Sequence, residues 1–371
     1  MYSIWTTIAP RCNVPSRVEV TPIHFLLALA LLITFCSDSA DAQNPKAIRI
    51  VPKVAPAPVD NPITAEKIAL GRELFFDKRL SLTKTISCNS CHNIVNDGKN
   101  PPSGTDNLVH SIGVFGAHGG RNSPTVWNAG LRTSLFWDGR SGSLEEQAMG
   151  PIMNPVEMGM LTSEAVEKAV QSVPEYSEKF RRAFSHPKSS VPYKVTIDEI
   201  AKAIATFERT LVTPNSPFDR FQKGDKKAIS EAAQRGWQKF QAHSCIACHA
   251  APTFTNQDYF IRFPLHEAKD YDSRYKFTKD EGRFDVTHEF KDRNLWRVPS
   301  LRNVAVTGPY FHNGSVDSLE EAVRIMAKAQ LQKRLPDEDV KDIVEFLKSL
   351  TGELPTYNPV PEPSPTSSSV L

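Results

Sequence analysis

Apolar side chains along the chain mark four amphipathic segments and one continuous run. Apolar residues recur at helical intervals from Ala65 to Phe76 and again from Glu231 to Phe240. Ile200, Ile204, Phe207 and Leu211 fall at spacings of 4, 3 and 4, and Val340, Ile343, Val344, Leu347 and Leu350 at 3, 1, 3 and 3. Both sets predict helices, the second with Asp337 as its N-cap. The continuous run, Pro22 to Phe35, is broken only by His24 and Thr34. Arg11 and Arg17 precede it and Ala40-Asp41-Ala42 follows, the layout of a secretory signal over 1–42 cut before Gln43. It is marginal for a membrane span, which needs ~20 apolar residues, and a retained anchor is the alternative. Residues 43–60 and 354–371 are Pro-rich without an aliphatic period. They read as an extended leader and a disordered tail.

The polar and apolar pattern also repeats. Pro124 to Pro151 aligns without gaps on Pro299 to Met326 at a constant offset of 175, with eight of 28 positions identical. These are Pro124/Pro299, Asn128/Asn303, Phe136/Phe311, Gly139/Gly314, Ser143/Ser318, Leu144/Leu319, Glu145/Glu320 and Glu146/Glu321. The chain therefore reads as one unit used twice, over 61–212 and 230–353, joined by a linker at 213–229. Its 371 residues suit two domains of roughly 100–200 residues each.

Composition narrows the function. Lys and Arg number 44 against 42 Asp and Glu, so no excess of positive charge points to nucleic acid. The 28 prolines imply many fixed turns and long irregular connections. Cys12 and Cys36 leave with the signal, and the other four cysteines form Cys88-Asn89-Ser90-Cys91-His92 and Cys245-Ile246-Ala247-Cys248-His249. Each is a c-type haem attachment sequence. One turn between the cysteines lets both thioethers reach one porphyrin edge, and the following His meets the iron. The alternatives are a zinc site or two disulfides. Zinc pairs lie ~15–20 residues apart, whereas 157 separate these motifs, and a disulfide leaves the histidines unexplained. The expected fold is mainly α: two class I cytochrome c-like domains with long irregular loops, each carrying one covalent haem c.

The repeat then distinguishes the two haems. Met326 is the only methionine after Met160 and is the natural sixth ligand of the second haem. The alternative is a core methionine. Its aligned partner is Pro151, which offers no donor, so the first haem is expected to be open. Met149, Met153, Met158, Met160, His110 and His118 are the competing ligands there.

The chain resembles the bacterial di-haem cytochrome c peroxidases, a family that includes relatives of the methylamine dehydrogenase maturation enzyme. The segments that carry the resemblance are 69–76, 121–126, 136–140, 204–211 and 307–314, with both haem motifs in order. It implies that Gln147, Pro151 and Glu157 form the distal pocket of a peroxidatic first haem. Glu157 is then the general acid/base, Gln147 orients peroxide, and Trp137 assists electron transfer between the haems. It also implies a calcium ion held by the Asn122 side chain and the carbonyls of Thr307 and Pro309. Many members close the first haem with a distal His after Ser-Ile-Gly. Here Ser111-Ile112-Gly113 is followed by Val114, and His118 lies four residues on, so no inhibitory ligand is expected. The resemblance further implies a periplasmic location, a small cytochrome c or cupredoxin donor, hydrogen peroxide as substrate and a homodimer. Two other functions compete: a maturation-type oxidase acting on protein side chains, and a non-enzymatic di-haem electron carrier.

Overall fold

A computed structural model describes residues 51–96, 102–184, 193–256, 259–266, 269–355 and 357. The expected signal at 1–42 lies outside the described residues. The chain is mainly helical. The N-terminal half holds α1 (Ala65–Phe76), α2 (Cys88–Cys91), α3 (Leu144–Met153), α4 (Ser163–Gln171), α5 (Pro174–Ala183) and α6 (Ile197–Glu208). The C-terminal half holds α7 (Pro217–Gln222), α8 (Glu231–Ala242), α9 (Lys269–Tyr275), α10 (Phe284–Thr287), α11 (Leu319–Leu331) and α12 (Asp337–Lys348). Two short strands, β1 (Phe260–Arg262) and β2 (Leu295–Arg297), pair antiparallel with Ile261 opposite Trp296. Among the described residues no helix is long and apolar enough to cross a membrane.

Each half is built on one crossed helix pair. In α1, Gly71 lies so close to α6 that a Cβ there would sit 1.9 Å from the Ala203 carbonyl oxygen and 2.9 Å from Phe207 Cβ. In α8, Gly236 meets α12 in the same way, 1.9 Å from the Asp342 oxygen and 2.9 Å from Phe346 Cβ. A helical glycine costs ~1 kcal/mol against alanine. Here that cost is offset by the approach it permits, with Leu74, Phe75, Ile204 and Phe207 buried around the first crossing and Phe240, Ile343 and Phe346 around the second.

The repeated loop recurs in three dimensions. Asn128 and Asn303 both adopt left-handed backbone, with φ of 64° and 62°, as do Phe136 and Phe311 and then Gly139 and Gly314. Ser143 caps α3 by accepting from the Glu146 N–H, and Ser318 caps α11 by accepting from Glu321. The halves meet at Thr213, whose hydroxyl accepts from Asn128 Nδ2 at 2.8 Å and from Asn303 Nδ2 at 2.9 Å. Buried amides at matching positions thus converge on one residue.

Some expected boundaries move. Asp337 is the first helical residue of α12, with Pro336 at the N-cap, and its carboxylate pairs with Arg324 at 2.8 Å. Leu211 and Leu350 lie past the ends of their helices. The tail begins later than 354, because Leu354 and Tyr357 pack on the first core. Tyr357 stacks on Trp127 with centroids 6.4 Å apart. Of the leader, Val51 and Ala55 are buried against Val212, and the Ala55 N–H bonds the Arg209 carbonyl at 2.9 Å.

Candidate active site

Both attachment motifs close on a single turn. Ser87 and Ser90 form a reciprocal cap at the start of α2, and the His92 N–H returns to the Cys88 carbonyl at 2.9 Å. In the second motif the His249 N–H returns to the Cys245 carbonyl at 3.0 Å. The two cysteines of each motif therefore lie on one turn, with the imidazole immediately after it.

The donor set fits haem c better than zinc or a disulfide. Burial pushes the thiol of each motif cysteine up, Cys91 and Cys245 to about 11. Among the described residues no group of three or more His, Cys, Asp or Glu converges on a point that could hold a metal ion. Burial also holds both imidazoles neutral, lowering His92 and taking His249 down to about 4. His249 Nδ1 lies 3.1 Å from the Phe254 carbonyl, and His92 Nδ1 lies 3.3 Å from Ser123 Oγ. An Nδ1–H that donates to such an oxygen leaves the Nε2 lone pair for a metal.

An apolar cavity joins the second motif to Met326. Cys245, Cys248 and His249 line it, and so does Met326 from the buried side of α11. Trp137 also lines it, from the N-terminal half; its Nε1 donates to the Asn122 carbonyl at 2.8 Å and its own carbonyl accepts from Arg297 N at 3.0 Å. Asn122, Thr307 and Pro309, the residues assigned to calcium by resemblance, lie on the same wall. The buried Asn122 side chain donates to the Leu108 carbonyl at 2.8 Å.

Glu157 and Gln147 do not line that cavity. Gln147 and Pro151 stand four apart on α3, hence on one helical face. The chain then turns back so that the Met158 N–H bonds the Pro151 carbonyl at 3.2 Å. This turn carries Glu157 to within electrostatic reach of Cys91. The Glu157 carboxyl is half-buried, and burial raises its pKa, while Arg140 and the Asn154 amide, donating to Oε1 at 2.8 Å, oppose the rise. The loop after Ser111 docks directly on this turn. Val114 is buried and its N–H donates to the Glu157 carbonyl at 2.9 Å, whereas His118 is exposed. Gly113 permits the contact, since a Cβ there would meet the Val156 carbonyl at 2.2 Å. His110, a competing ligand by sequence, keeps its buried Nδ1 without a hydrogen-bond partner.

One residue of this site carries no signal in its local sequence. Glu208 ends α6 directly after Phe207, the position that Leu347 occupies after Phe346 in α12, where Leu347 lines the second cavity. Burial pushes Glu208 up to about 8, its Oε2 has no partner, and its charge acts on Cys88. Glu208 therefore stays protonated in the fold where the unfolded chain, with an ordinary carboxyl, is already ionised. The native state binds the extra proton, so stability falls as pH rises from about 4.5 to about 8. Replacing Glu208 with Gln is expected to remove that loss. Thermal melts of the holoprotein should show a gain over the parent that grows from pH 5 to pH 8, by up to a few kcal/mol. A pH-independent difference would count against this account.

Comparison with known proteins agrees with the geometry. Residues 65–227 match the di-haem cytochrome c peroxidase family. The cytochrome c551 peroxidase of Pseudomonas aeruginosa is 43% identical over 331 residues, covering 88% of this chain and 92% of that protein. The chain belongs to the di-haem cytochrome c peroxidase family. Another family member, the cytochrome c551 peroxidase of Nitrosomonas europaea, is 41% identical over 340 residues, 91% of this chain and 94% of that one. The methylamine utilization protein MauG of Methylorubrum extorquens is 34% identical over 362 residues, 90% and 96% of the two chains. Among solved structures, a MauG-like protein associated with microbial copper homeostasis aligns with a TM-score of 0.70 at 30% identity, covering 84% of this chain and 96% of that one. Membership of this di-haem family implies haem c as the cofactor.

Proposed function

We propose that this protein reduces hydrogen peroxide to water: one peroxide, two electrons and two protons yield two waters. The reading is carried by the asymmetry between two matching helices, which present Pro151 in α3 where α11 presents Met326. Cys88, Cys91 and His92 hold one haem c, and Cys245, Cys248, His249 and Met326 hold the other. Haem c supplies the iron that exchanges electrons with donor and peroxide. Met326 gives a thioether that favours the reduced state and suits electron entry in the C-terminal half. Electrons then pass to the N-terminal half with Trp137 on the route, a role supported by its place in the cavity wall and its two backbone bonds. At the first site Gln147 orients peroxide by hydrogen bonding. Glu157 takes the proton of the inner oxygen and delivers it to the outer one, which leaves as water. Asn122 with the Thr307 and Pro309 carbonyls forms an all-oxygen set suited to calcium.

The donor on this reading is a small cytochrome c or cupredoxin, met through a weak, transient interface. The enzyme works in the periplasm as a homodimer. Buried Val114 and exposed His118 support a first site with no inhibitory ligand. The fully oxidised protein should then show a high-spin ferric component by absorption and EPR without prior reduction. Exclusively low-spin signals would overturn that point. A steady-state assay with peroxide and reduced cytochrome c tests the function itself. Turnover separates an enzyme from an electron carrier, and a lack of turnover with peroxide alone as acceptor would favour a protein substrate.

A further inference from the structure

The cavity that joins Cys245, His249 and Met326 also holds positive charge that no protein acid answers. Arg132 reaches it from the N-terminal half and Arg297 from the end of β2. Arg132 Nε is buried without a hydrogen-bond partner, and no charged side chain offsets the cost of burying this guanidinium. Arg297 is 2% exposed; its Nε donates to the Phe136 carbonyl at 3.0 Å and its Nη1 to the Val298 carbonyl at 3.3 Å. The charges that act on it are Arg132, which is repulsive, and Asp138, which is already paired with Arg121 and Arg140. Beside Arg297, Trp296 also lines the cavity and has a buried Nε1–H without a partner. Buried cations and donors are retained where something pairs with them. Two neighbouring guanidiniums and an idle indole N–H therefore describe a receptor for a carboxylate.

We infer that Arg132, Arg297 and Trp296 form the carboxylate receptor for the propionates of the second haem. This rests on the reading that the second motif holds haem c. Haem c brings two carboxylates into a cavity lined mostly by apolar side chains, and an unpaired carboxylate in such a place is costly. The receptor also ties the halves together, because Arg132 belongs to the repeated loop of the first while the attachment cysteines belong to the second. At the repeat-related positions stand Thr307 for Arg132 and Asn122 for Arg297, so neither cation has a counterpart by the duplication. Arg132 is thus a positioning residue that also sets the potential of the haem it serves. A cation near a redox centre favours the reduced form.

The test is a spectropotentiometric titration of the full-length di-haem protein at alkaline pH, where the carboxylates stay charged. Arg132→Gln is expected to lower the potential of the Met-ligated haem by about 60 mV, a tenfold change in the reduced-to-oxidised ratio at fixed ambient potential. The other haem should move far less. Arg132→Lys should restore most of the shift, and Trp296→Phe, which removes only the N–H from the receptor, should give a smaller shift of the same sign. An unchanged potential in Arg132→Gln with two haems and Met ligation intact would overturn the receptor. So would an equal shift at both haems. If Arg132→Gln loses its second haem, Trp296→Phe decides: a Met-ligated haem at the parental potential overturns the assignment. A parent protein that carries one haem only would instead overturn the underlying haem reading.

Discussion

Replacing Glu157 with Gln is expected to lower peroxide turnover by about 100-fold or more while both haems remain attached and reducible. The amide keeps the size of the side chain and its ability to accept from Asn154 Nδ2, now 2.8 Å from Oε1. What it loses is the ability to take a proton and return it. Burial raises the Glu157 pKa, and this keeps the group closer to neutral pH than an exposed carboxylate, where it can act in both directions. The sign of the pH dependence follows. The carboxylate must be ionised to accept the inner proton, so activity should fall on the acid side through a pKa above that of an ordinary Glu. That limb should be absent in the variant. Steady-state rates with peroxide and reduced cytochrome c, across pH 5 to 8, check both parts. A variant within a few-fold of the parent would assign the proton to another group.

How much of this was legible in the chain depends on which physical demand fixes each residue. The two Cys-x-x-Cys-His motifs were legible because the chemistry proposed for them sets the spacing of Cys88, Cys91 and His92 within five consecutive residues. Helices α1, α6, α8 and α12 were legible because each buries one apolar stripe against one partner, and burial on one face imposes a period. The loop repeat was legible only through comparison of the chain with itself. Its meaning is three-dimensional: Asn128 and Asn303 recur because both adopt left-handed backbone and both reach Thr213.

Other features had no such signature. Glu208 sits among Ala, Thr, Phe and Arg in a segment whose local pattern does not say that the carboxyl is buried without a partner. Arg132, Trp296 and Arg297 come together only when the 163 residues between Arg132 and Trp296 fold. Charge isolation is a property of the packed cavity, not of the local sequence. The carbonyls of Thr307 and Pro309 are likewise backbone atoms that any residue supplies. The shift of the α12 cap from Asp337 to Pro336 has a local cause: Pro has a φ suited to the helix entrance, and Asp337 one place later still meets the positive N-terminal end.

Replacing Gly71 or Gly236 with Leu is expected to cost several kcal/mol and to remove one haem selectively. Even alanine poses the problem. It gains ~1 kcal/mol in helix propensity, but its Cβ would lie 1.9 Å from a carbonyl oxygen on the facing helix, well inside van der Waals contact. A backbone atom cannot rotate away as a side chain can, so the helices must separate. Separation by a fraction of an ångström already forfeits a quarter to a half of each dispersion contact along the crossing. Leucine extends the clash into Phe207 or Phe346, whose Cβ atoms already lie 2.9 Å from the built position. Because α8 ends at Ala242, three residues before Cys245, a displaced α8 moves the second attachment turn directly. Gly236→Leu should therefore yield protein with the first haem attached and the second missing, and Gly71→Leu the reverse. Haem counted per chain by pyridine haemochrome, together with thermal melting, checks this. Full loading of both haems with an unchanged melting temperature would show that the crossings tolerate a side chain, and that close helix contact does not hold the attachment turns in place.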